Sequence, residues 1–251
     1  MVKLFKGDLL IFTPNGFKKA DELNIGDQIL SLDINGNLIY DEIEEITKTF
    51  KKKYTLNKID NYFINNYIQI YSMNNIPLNY EKKELEYFIK THTKNCIGNI
   101  SLNDLSIFDY IGFPIKKDDE VKNSDIDYKE MGKKINETTL TLNELFNLSK
   151  LELNDFYLGI IENKDIQIDV ANKKIFHLIK YTCLLLGISF SHVYKDGKLL
   201  IKISKNDSII FNDFIWNKIK SIKKINNYTG NLLYIKLKSN KPYLSDIGFI
   251  S

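Results

Sequence analysis

Cysteine and histidine, which most often carry metal or nucleophilic chemistry, are few and widely separated in this chain. The cysteines are Cys96 and Cys183, and the histidines are His92, His177 and His192. A zinc site needs three or four clustered thiolate or imidazole ligands, and the chain has no CxxC spacing. We therefore expect two buried, reduced thiols in an intracellular protein, and neither a zinc site nor a Ser-His-Asp grouping.

Lysine is the other side chain here that could bind a charged partner. Lys and Arg together number 35, and every one of them is lysine, against 32 acidic residues, which gives a net charge of +3. Without arginine the chain has no guanidinium fork for guanine or phosphate. Because Lys, Asn and Ile share AT-rich codons, the composition indicates first an AT-rich genome, for example that of a large DNA virus or of a low-GC parasite.

One lysine-rich stretch is the best local candidate for a nucleic-acid site. Lys218, Lys220, Lys223 and Lys224 follow one another closely, with aromatic residues on both sides. On a helix, Lys220, Lys223 and Lys224 would share a face. The alternative is the solvated side of a helix.

The length and composition describe a folded chain that does not insert into a membrane. It has 251 residues, of which 43% are hydrophobic, enough for one large domain or two small ones. No apolar run reaches the roughly 18 to 20 residues of a spanning helix. The first ten residues also lack the apolar core of a signal peptide. We expect an intracellular protein, cytoplasmic or virion-associated, that is not secreted.

The elements that must position these side chains change in type along the chain. The first half is predicted to be β structure, since Asn15-Gly16 is a strong hairpin signal, residues 43–50 alternate apolar and polar positions, and turns recur every 8 to 12 residues. After a charged stretch, Thr141 and Glu144 have the spacing of a capping box. Helical patterns at 153–161 and 175–186 are mixed with strand patterns at 166–170 and 198–203.

The last residues return to the strand pattern of the first half. A return of this kind predicts one domain inserted into another. We expect residues 1–117 and 229–251 to form one β-rich domain and residues 118–228 to form an inserted small α/β domain. Two domains in tandem are the alternative.

Motifs at the two ends of the chain, in order, resemble the hedgehog/intein (Hint) family. Residues 4–16 read LFKGDLLIFTPNG and residues 23–31 read LNIGDQILS, like the opening of an intein. Residues 105–114 and 234–251 are similar to the later intein motifs. The resemblance implies a Hint-like β domain formed by both chain ends.

The inserted part resembles a LAGLIDADG homing endonuclease, the domain that is commonly inserted in inteins. Residues 143–165 are similar to the motif helix and its lead-in, and residues 169–188 to the strand and helix that follow. Only one copy of the motif is evident. The resemblance completes an α+β fold class: a β-rich Hint-like domain with an inserted LAGLIDADG-like α/β domain.

The resemblance also fixes which residues stand at the splicing positions. Leu4 stands where an intein has its Cys or Ser nucleophile, and a hydrocarbon cannot attack a carbonyl. Ser72 and Asn75 match the Thr-x-x-His pair, so a hydroxyl remains while the base is replaced. Lys241 matches the later histidine, and the terminal His-Asn pair is absent. We therefore expect no catalytic residues and no splicing.

The nuclease positions are altered as well. LAGLIDADG enzymes hold Mg²⁺ between acidic residues at the ends of their motif helices. The matching position is Lys164, which repels a divalent cation, with Glu162 and Asp165 beside it as weaker candidates. We expect no metal and no cofactor, and Mg²⁺ only if the nuclease alternative holds.

Together these observations predict that the chain is not an enzyme. The expectation is a catalytically inactive, domesticated intein-like protein that serves as a structural or protein-binding component, with other proteins as partners, in a large DNA virus. The alternative is a DNA-binding protein or a residual LAGLIDADG homing endonuclease.

Overall fold

The computed structural model of the protein describes residues 3–33, 38–59, 62–65, 68–77, 82–116, 126–162, 166–169, 172–195, 198–203 and 208–251. The chain divides into two compact units, one made of Met1–Gly112 and Trp216–Ser251 and the other of Phe113–Ile215. Among the described residues, no helix is both long and apolar enough to cross a membrane.

The elements follow in chain order. The first part of the chain contains β1 (Leu10–Thr13), β2 (Gly16–Lys19), β3 (Gln28–Leu32), β4 (Leu38–Ile59), β5 (Tyr62–Ile64), β6 (Gln69–Met73), α1 (Lys82–Cys96), β7 (Ile97–Ser101) and β8 (Tyr110–Pro114). The middle contains α2 (Tyr128–Lys133), α3 (Leu142–Asn147), α4 (Lys150–Glu162), β9 (Gln167–Asp169), α5 (Lys173–Leu185), β10 (Phe190–Lys195), β11 (Lys198–Ile203) and β12 (Ser208–Phe211). The last part contains β13 (Phe214–Lys218), β14 (Ile222–Leu237), β15 (Tyr243–Ser245) and β16 (Gly248–Ile250).

A large antiparallel sheet dominates the first unit and confirms the predicted β-rich architecture. Its central strands follow the order β8-β6-β16-β15-β3-β4-β14. Strands from both ends of the chain are neighbours in it, since Ile11 pairs with Ser245 and Ile250 pairs with Ile70. The β1–β2 hairpin forms at the predicted Asn-Gly turn, where the Thr13 hydroxyl donates to the Gly16 carbonyl oxygen at 2.7 Å.

The longest pairing joins β4 to β14. It runs from Ile43 opposite Leu237 to Ile59 opposite Ile222, and the register shifts at bulges along the way. Lys53 and Asn227, one on each strand, have left-handed backbones there, with φ of 52° and 62°. We call this pair of strands the β4–β14 ribbon.

Helix α1 interrupts the predicted β pattern of the first half and was missed in the sequence. Most of its residues are charged or polar, but Leu85 and Ile89 are buried. Their spacing of four residues places them on one helical face.

The second unit is a helical group beside a small antiparallel sheet with the order β10-β11-β9. The capping box is confirmed, since Thr141 and Glu144 exchange side-chain and backbone hydrogen bonds at the start of α3. Strands β10 and β11 pair from Phe190 opposite Ile203 to Lys195 opposite Lys198, and residues 196–197 lie outside the described residues. That this unit is a LAGLIDADG-like domain stays a prediction.

Helices α2 and α4 cross at two glycines. A Cβ built on Gly159 would lie 2.0 Å from the Lys129 carbonyl oxygen, and one on Gly132 would lie 2.1 Å from the Phe156 carbonyl oxygen. Only glycine permits backbones to approach so closely.

The boundaries of the units differ from the predicted ones at 117/118 and 228/229. Trp216 explains the second difference, because its side chain is fully buried in the first unit. Its ring centroid lies 5.5 Å from that of Tyr71. A Cβ on Gly112 would lie only 2.8 Å from the indole. A single large aromatic side chain therefore assigns the stretch from residue 216 onward to the β-rich unit.

Both cysteines are free and buried, as predicted. Burial raises the pKa of the Cys183 thiol from 9.0 to about 12. It also raises the pKa of the Cys96 thiol.

Replacing Gly159 with alanine is expected to lower the free energy of unfolding by about 2 kcal/mol, because α2 must move away from α4 to admit the methyl group. Urea unfolding followed by circular dichroism measures this change. Gly98→Ala is the matched control, since no heavy atom lies within 4 Å of its Cβ position. Equal stabilities of the two variants would contradict the close crossing.

The Cys183 thiol should also make stability depend on pH in alkaline solution. Above pH 9 the thiol ionises in the unfolded chain but stays neutral in the folded one until about pH 12. The folded state therefore loses up to about 1.4 kcal/mol per pH unit over that interval. Urea unfolding at several alkaline pH values should show a shallower fall for Cys183→Ala than for the unmodified chain. Parallel falls would show that the thiol is not the cause.

Candidate functional site

A cavity of about 440 Å³ lies in the first unit where the first and last described segments of the chain meet. Its walls come from the N-terminal segment, β4, β14 and the C-terminal residues. We call it the terminal cavity. Leu4, Thr47, Lys51, Tyr234, Lys241 and Ser251 are among the residues that line it.

The ribbon register decides which side chains face the cavity. Thr47 lies opposite Tyr234, and Glu45 lies opposite Lys236. Because directly paired residues of an antiparallel sheet share a face, and residues two apart on one strand do too, these four side chains line the same wall. The sequence showed the alternation of β4 but not its partner, so Thr47 and Tyr234 were missed as site residues.

The two terminal segments are fixed to the sheet by backbone hydrogen bonds. Phe5 and Leu233 exchange two, at 3.0 and 2.8 Å. Gln69 and Ser251 also exchange two, both at 3.0 Å. Residues at the start and end of the chain are thereby held beside the same cavity.

Leu4, which the sequence resemblance matches to the intein nucleophile, is a packing residue. Its side chain is buried with Leu56 and Leu232, and partly buried aromatic rings surround this cluster. Its carbonyl oxygen accepts a hydrogen bond from the Asn65 amide at 2.8 Å. Its hydrocarbon side chain therefore helps to hold the first described segment against the sheet. It offers no nucleophilic atom.

The structure does not bring Ser72 and Asn75 to the cavity. Ser72 is fully buried in β6, and its hydroxyl donates to the Ile70 carbonyl oxygen at 2.9 Å. Asn75 is exposed in a left-handed turn with φ of 57°. Its side-chain amide donates to the Asn74 side chain at 3.2 Å. Neither residue is among those lining the cavity.

Lys241, which the sequence resemblance matches to the later histidine of an intein, does line the cavity. It follows Asn240, another left-handed residue with φ of 57°, and its amide donates to the Ser239 hydroxyl at 3.2 Å. The next residue fixes this turn, since the Pro242 carbonyl oxygen accepts from the Ser31 hydroxyl at 2.8 Å.

The cavity wall is basic. Lys3, Lys51, Lys236 and Lys241 line it together with one acidic side chain, that of Glu45. Lys236 is already neutralised by Glu44 at 2.5 Å, and this hydrogen bond raises the pKa of Lys236. Burial lowers the pKa of Lys3. The remaining ammonium groups make the cavity attractive to anions.

Tyr243 contributes a neutral hydroxyl to the cavity. Its side chain is buried, and burial raises the pKa of its phenol. Together with the hydroxyls of Thr47, Thr49 and Tyr234, it offers hydrogen bonds that carry no charge. The cavity therefore combines cations with neutral hydrogen-bonding groups.

In the second unit, lysines surround the candidate metal ligand Glu162. The Glu162 carboxylate lies at the end of α4 and pairs with Lys129 at 2.6 Å and Lys133 at 3.1 Å, both from α2. These hydrogen bonds, first that of Lys129 and then that of Lys133, lower the pKa of Glu162. Two ammonium groups at this carboxylate oppose the binding of a divalent cation.

Lys164 and Asp165, the other two positions, lie outside the described residues. Across the part of the chain that the structure describes, no three or more His, Cys, Asp or Glu side chains are grouped to hold a metal ion.

The predicted helix at the lysine-rich stretch is wrong. Lys218 ends β13, with its ammonium group 5.5 Å from the centre of the Phe108 ring. Lys220 is exposed between β13 and β14, and Lys223 and Lys224 are neighbours in β14. Neighbours in a strand point to opposite faces, so these lysines do not form one helical face. Their strand is stabilised by pairing with β4, a long-range interaction that local spacing does not reveal.

With the geometry established, the chain can be compared with known proteins. No protein-family description and no curated protein matches it. Among solved structures, it is similar to the Ssp DnaB mini-intein in a variant form, with a TM-score of 0.44 and 9% identity over 99% of this chain and 92% of that one. A mutant of that variant gives a TM-score of 0.45 and 10% identity, over 99% and 97%. The transcription factor IIB Mvu mini-intein gives 0.40 and 10%, over 100% and 98%.

These neighbours contradict one expectation from the sequence. We expected that the chain is not an enzyme, yet the structures it matches are mini-inteins. Nothing in the described residues shows that catalysis has been lost. The residues at positions 4, 75 and 241 therefore do not establish inactivity.

Replacing Leu4 with alanine is expected to lower the free energy of unfolding by about 3 kcal/mol, because it leaves a void among Leu56, Leu232 and the surrounding rings. Urea unfolding measures the loss. Leu38→Ala is the control, since Leu38 is 41% exposed and its removal should cost less than about 0.5 kcal/mol. A small loss at Leu4 would show that the residue does not anchor the first segment.

Proposed function

We propose that the chain is a protein-binding module with an intein-like fold, and that its terminal cavity receives an acidic segment of a partner protein. The observation that carries this proposal is the uncompensated charge of the cavity. Among the described residues, Lys3, Lys51 and Lys241 have no carboxylate partner. An anionic ligand would supply one.

The remaining cavity groups suit a polypeptide rather than a small inorganic anion. The hydroxyls of Thr47, Thr49 and Tyr234 line the wall beside the lysines and can bind backbone carbonyl and amide groups of an extended segment. Charge-assisted hydrogen bonds from lysine to carboxylates would set the register of that segment. In this role Leu4 and Lys241 support binding: one holds the wall in place and the other attracts the ligand.

The partner in this proposal is another protein, and the role is a structural one within a larger assembly. The AT-rich codon usage implied by the Lys and Asn content supports a large DNA virus as the setting. A module with a fixed cavity can join an acidic segment of a second component without a change of its own fold.

We further propose that the second unit is a reduced LAGLIDADG-like domain. The support is the close crossing of α2 and α4 at Gly132 and Gly159, on the helix that carries the motif resemblance. The ion pairs of Glu162 with Lys129 and Lys133 then make this helix end a structural contact between α2 and α4.

The cavity proposal is tested with a short fluorescein-labelled peptide of alternating Glu and Gly and the full chain. Fluorescence anisotropy at low salt should show binding, and Lys51→Glu and Lys241→Glu should each weaken it by about tenfold. Lys90→Glu makes the same charge change on the exposed side of α1 and serves as the matched control. An equal loss in that control would show that only net charge matters, and the proposal would fail.

A further inference from the structure

The far part of the β4–β14 ribbon has an unusual charge pattern. We define the distal ribbon as residues 46–59 and 222–235. It contains no Asp or Glu and seven lysines: Lys48, Lys51, Lys52, Lys53, Lys58, Lys223 and Lys224. The near part of β4 is the opposite, with four acidic residues between positions 41 and 45.

Most of the distal lysines are exposed and lack counter-charges. Lys48, Lys52, Lys53, Lys223 and Lys224 are exposed, and none of them forms an ion pair with any residue in the described ranges. Elsewhere in the first unit, Lys6, Lys236 and Lys238 each have an acidic partner within 2.8 Å. The distal ribbon therefore concentrates positive charge that nothing in the described fold neutralises.

The ribbon also places like charges directly opposite each other. Lys58 pairs with Lys223 across the two strands, and a cross-strand pair of equal charge destabilises a sheet. The Lys58 ammonium lies 5.7 Å from the centre of the Phe63 ring, which offsets part of this repulsion. No comparable contact with a described ring is found for Lys223. An anion bound beside Lys58 and Lys223 would reduce their mutual repulsion.

One exposed aromatic ring lies within this charge. Phe50 is 57% exposed and lies two residues from the exposed Lys48 on β4, so these two side chains share a face. The exposed Lys52 follows directly after the regular pairing, where the register shifts. Thr47 and Lys51 point to the other face, where they line the terminal cavity. An apolar ring with lysines two residues away on each side suits a flat, stackable group attached to a repeating anion.

We infer that this face of the distal ribbon is a binding surface for single-stranded nucleic acid. The lysines contact successive phosphates, and an unpaired base stacks on the Phe50 ring. The exposed Asn231, directly opposite Phe50, supplies an amide within reach of the edge of the stacked base. This surface is separate from the terminal cavity, because the two lie on opposite faces of the same strands.

Nucleic acid fits these residues better than an acidic protein. Carboxylate side chains would satisfy the lysines but would leave Phe50 exposed. A duplex presents its phosphates while its bases stay stacked on one another, so it too leaves the ring unused. A single strand satisfies both groups at once.

The test uses the full chain and a fluorescein-labelled oligothymidylate of about 20 nucleotides in an anisotropy titration. The affinity should fall with salt, with a slope of log K against log salt of about −2 to −3.5 for three to five phosphate contacts. Joint replacement Lys48→Gln and Lys52→Gln should flatten this slope by about 1.4. Lys83→Gln with Lys90→Gln, on exposed positions of α1, is the matched control and should leave the slope unchanged.

The aromatic contact is tested separately with Phe50→Ala, which should weaken binding by about tenfold. Tyr87→Ala removes a more exposed ring from α1, 72% exposed, and should have no effect. Tighter binding of a duplex of equal length, equal binding of polyglutamate, or an unchanged affinity in Phe50→Ala would each overturn the inference. None of these variants alters a residue that lines the terminal cavity. A negative result with the oligothymidylate therefore does not affect the peptide-binding proposal, and a negative result with the peptide does not affect the nucleic-acid inference.

Discussion

The antiparallel pairing of β4 with β14 is the interaction on which the other features of the first unit depend. It joins a strand from the first quarter of the chain to one near its end. Leu233 of β14 then accepts and donates the hydrogen bonds that fix Phe5, and the same strand supplies Leu232 to the cluster around Leu4. Without this register neither the wall of the terminal cavity nor the buried first segment would form.

Successive side chains of a strand point to opposite faces, so the β4–β14 ribbon has two faces with different side chains. One face carries Thr47, Thr49 and Tyr234 and is covered by the terminal segments, which makes it concave. The other face carries Lys48 and Phe50, whose side chains are exposed. Both faces are positively charged, but only the concave one adds several hydroxyls. A single pair of strands therefore offers two binding surfaces of different shape and chemistry.

Local features were predictable from the sequence because their causes are local. The Asn15-Gly16 turn and the capping box of Thr141 and Glu144 depend on residues within four positions, and both form as expected. The lysine-rich stretch failed as a helix because its strand is dictated by β4, more than a hundred residues away. For the site, the sequence resemblance named Leu4 and Lys241 as altered splicing positions, and both line the cavity. Ser72 does not line the cavity. Thr47 and Tyr234 were missed because their position depends on the pairing of β4 with β14, which a short sequence pattern does not reveal.

The long sequence separation between β4 and β14 has a consequence for how the chain folds. During synthesis β4 is complete long before β14 exists, and the whole second unit is made in between. Non-local pairing of this kind is slow, and an unpaired strand edge invites association with other chains. The lysines of β4 act against this, because charged residues on an edge repel a second copy of the same strand. The same lysines that lack counter-ions in the folded ribbon thus also protect the nascent chain from association with other chains until β14 pairs with β4.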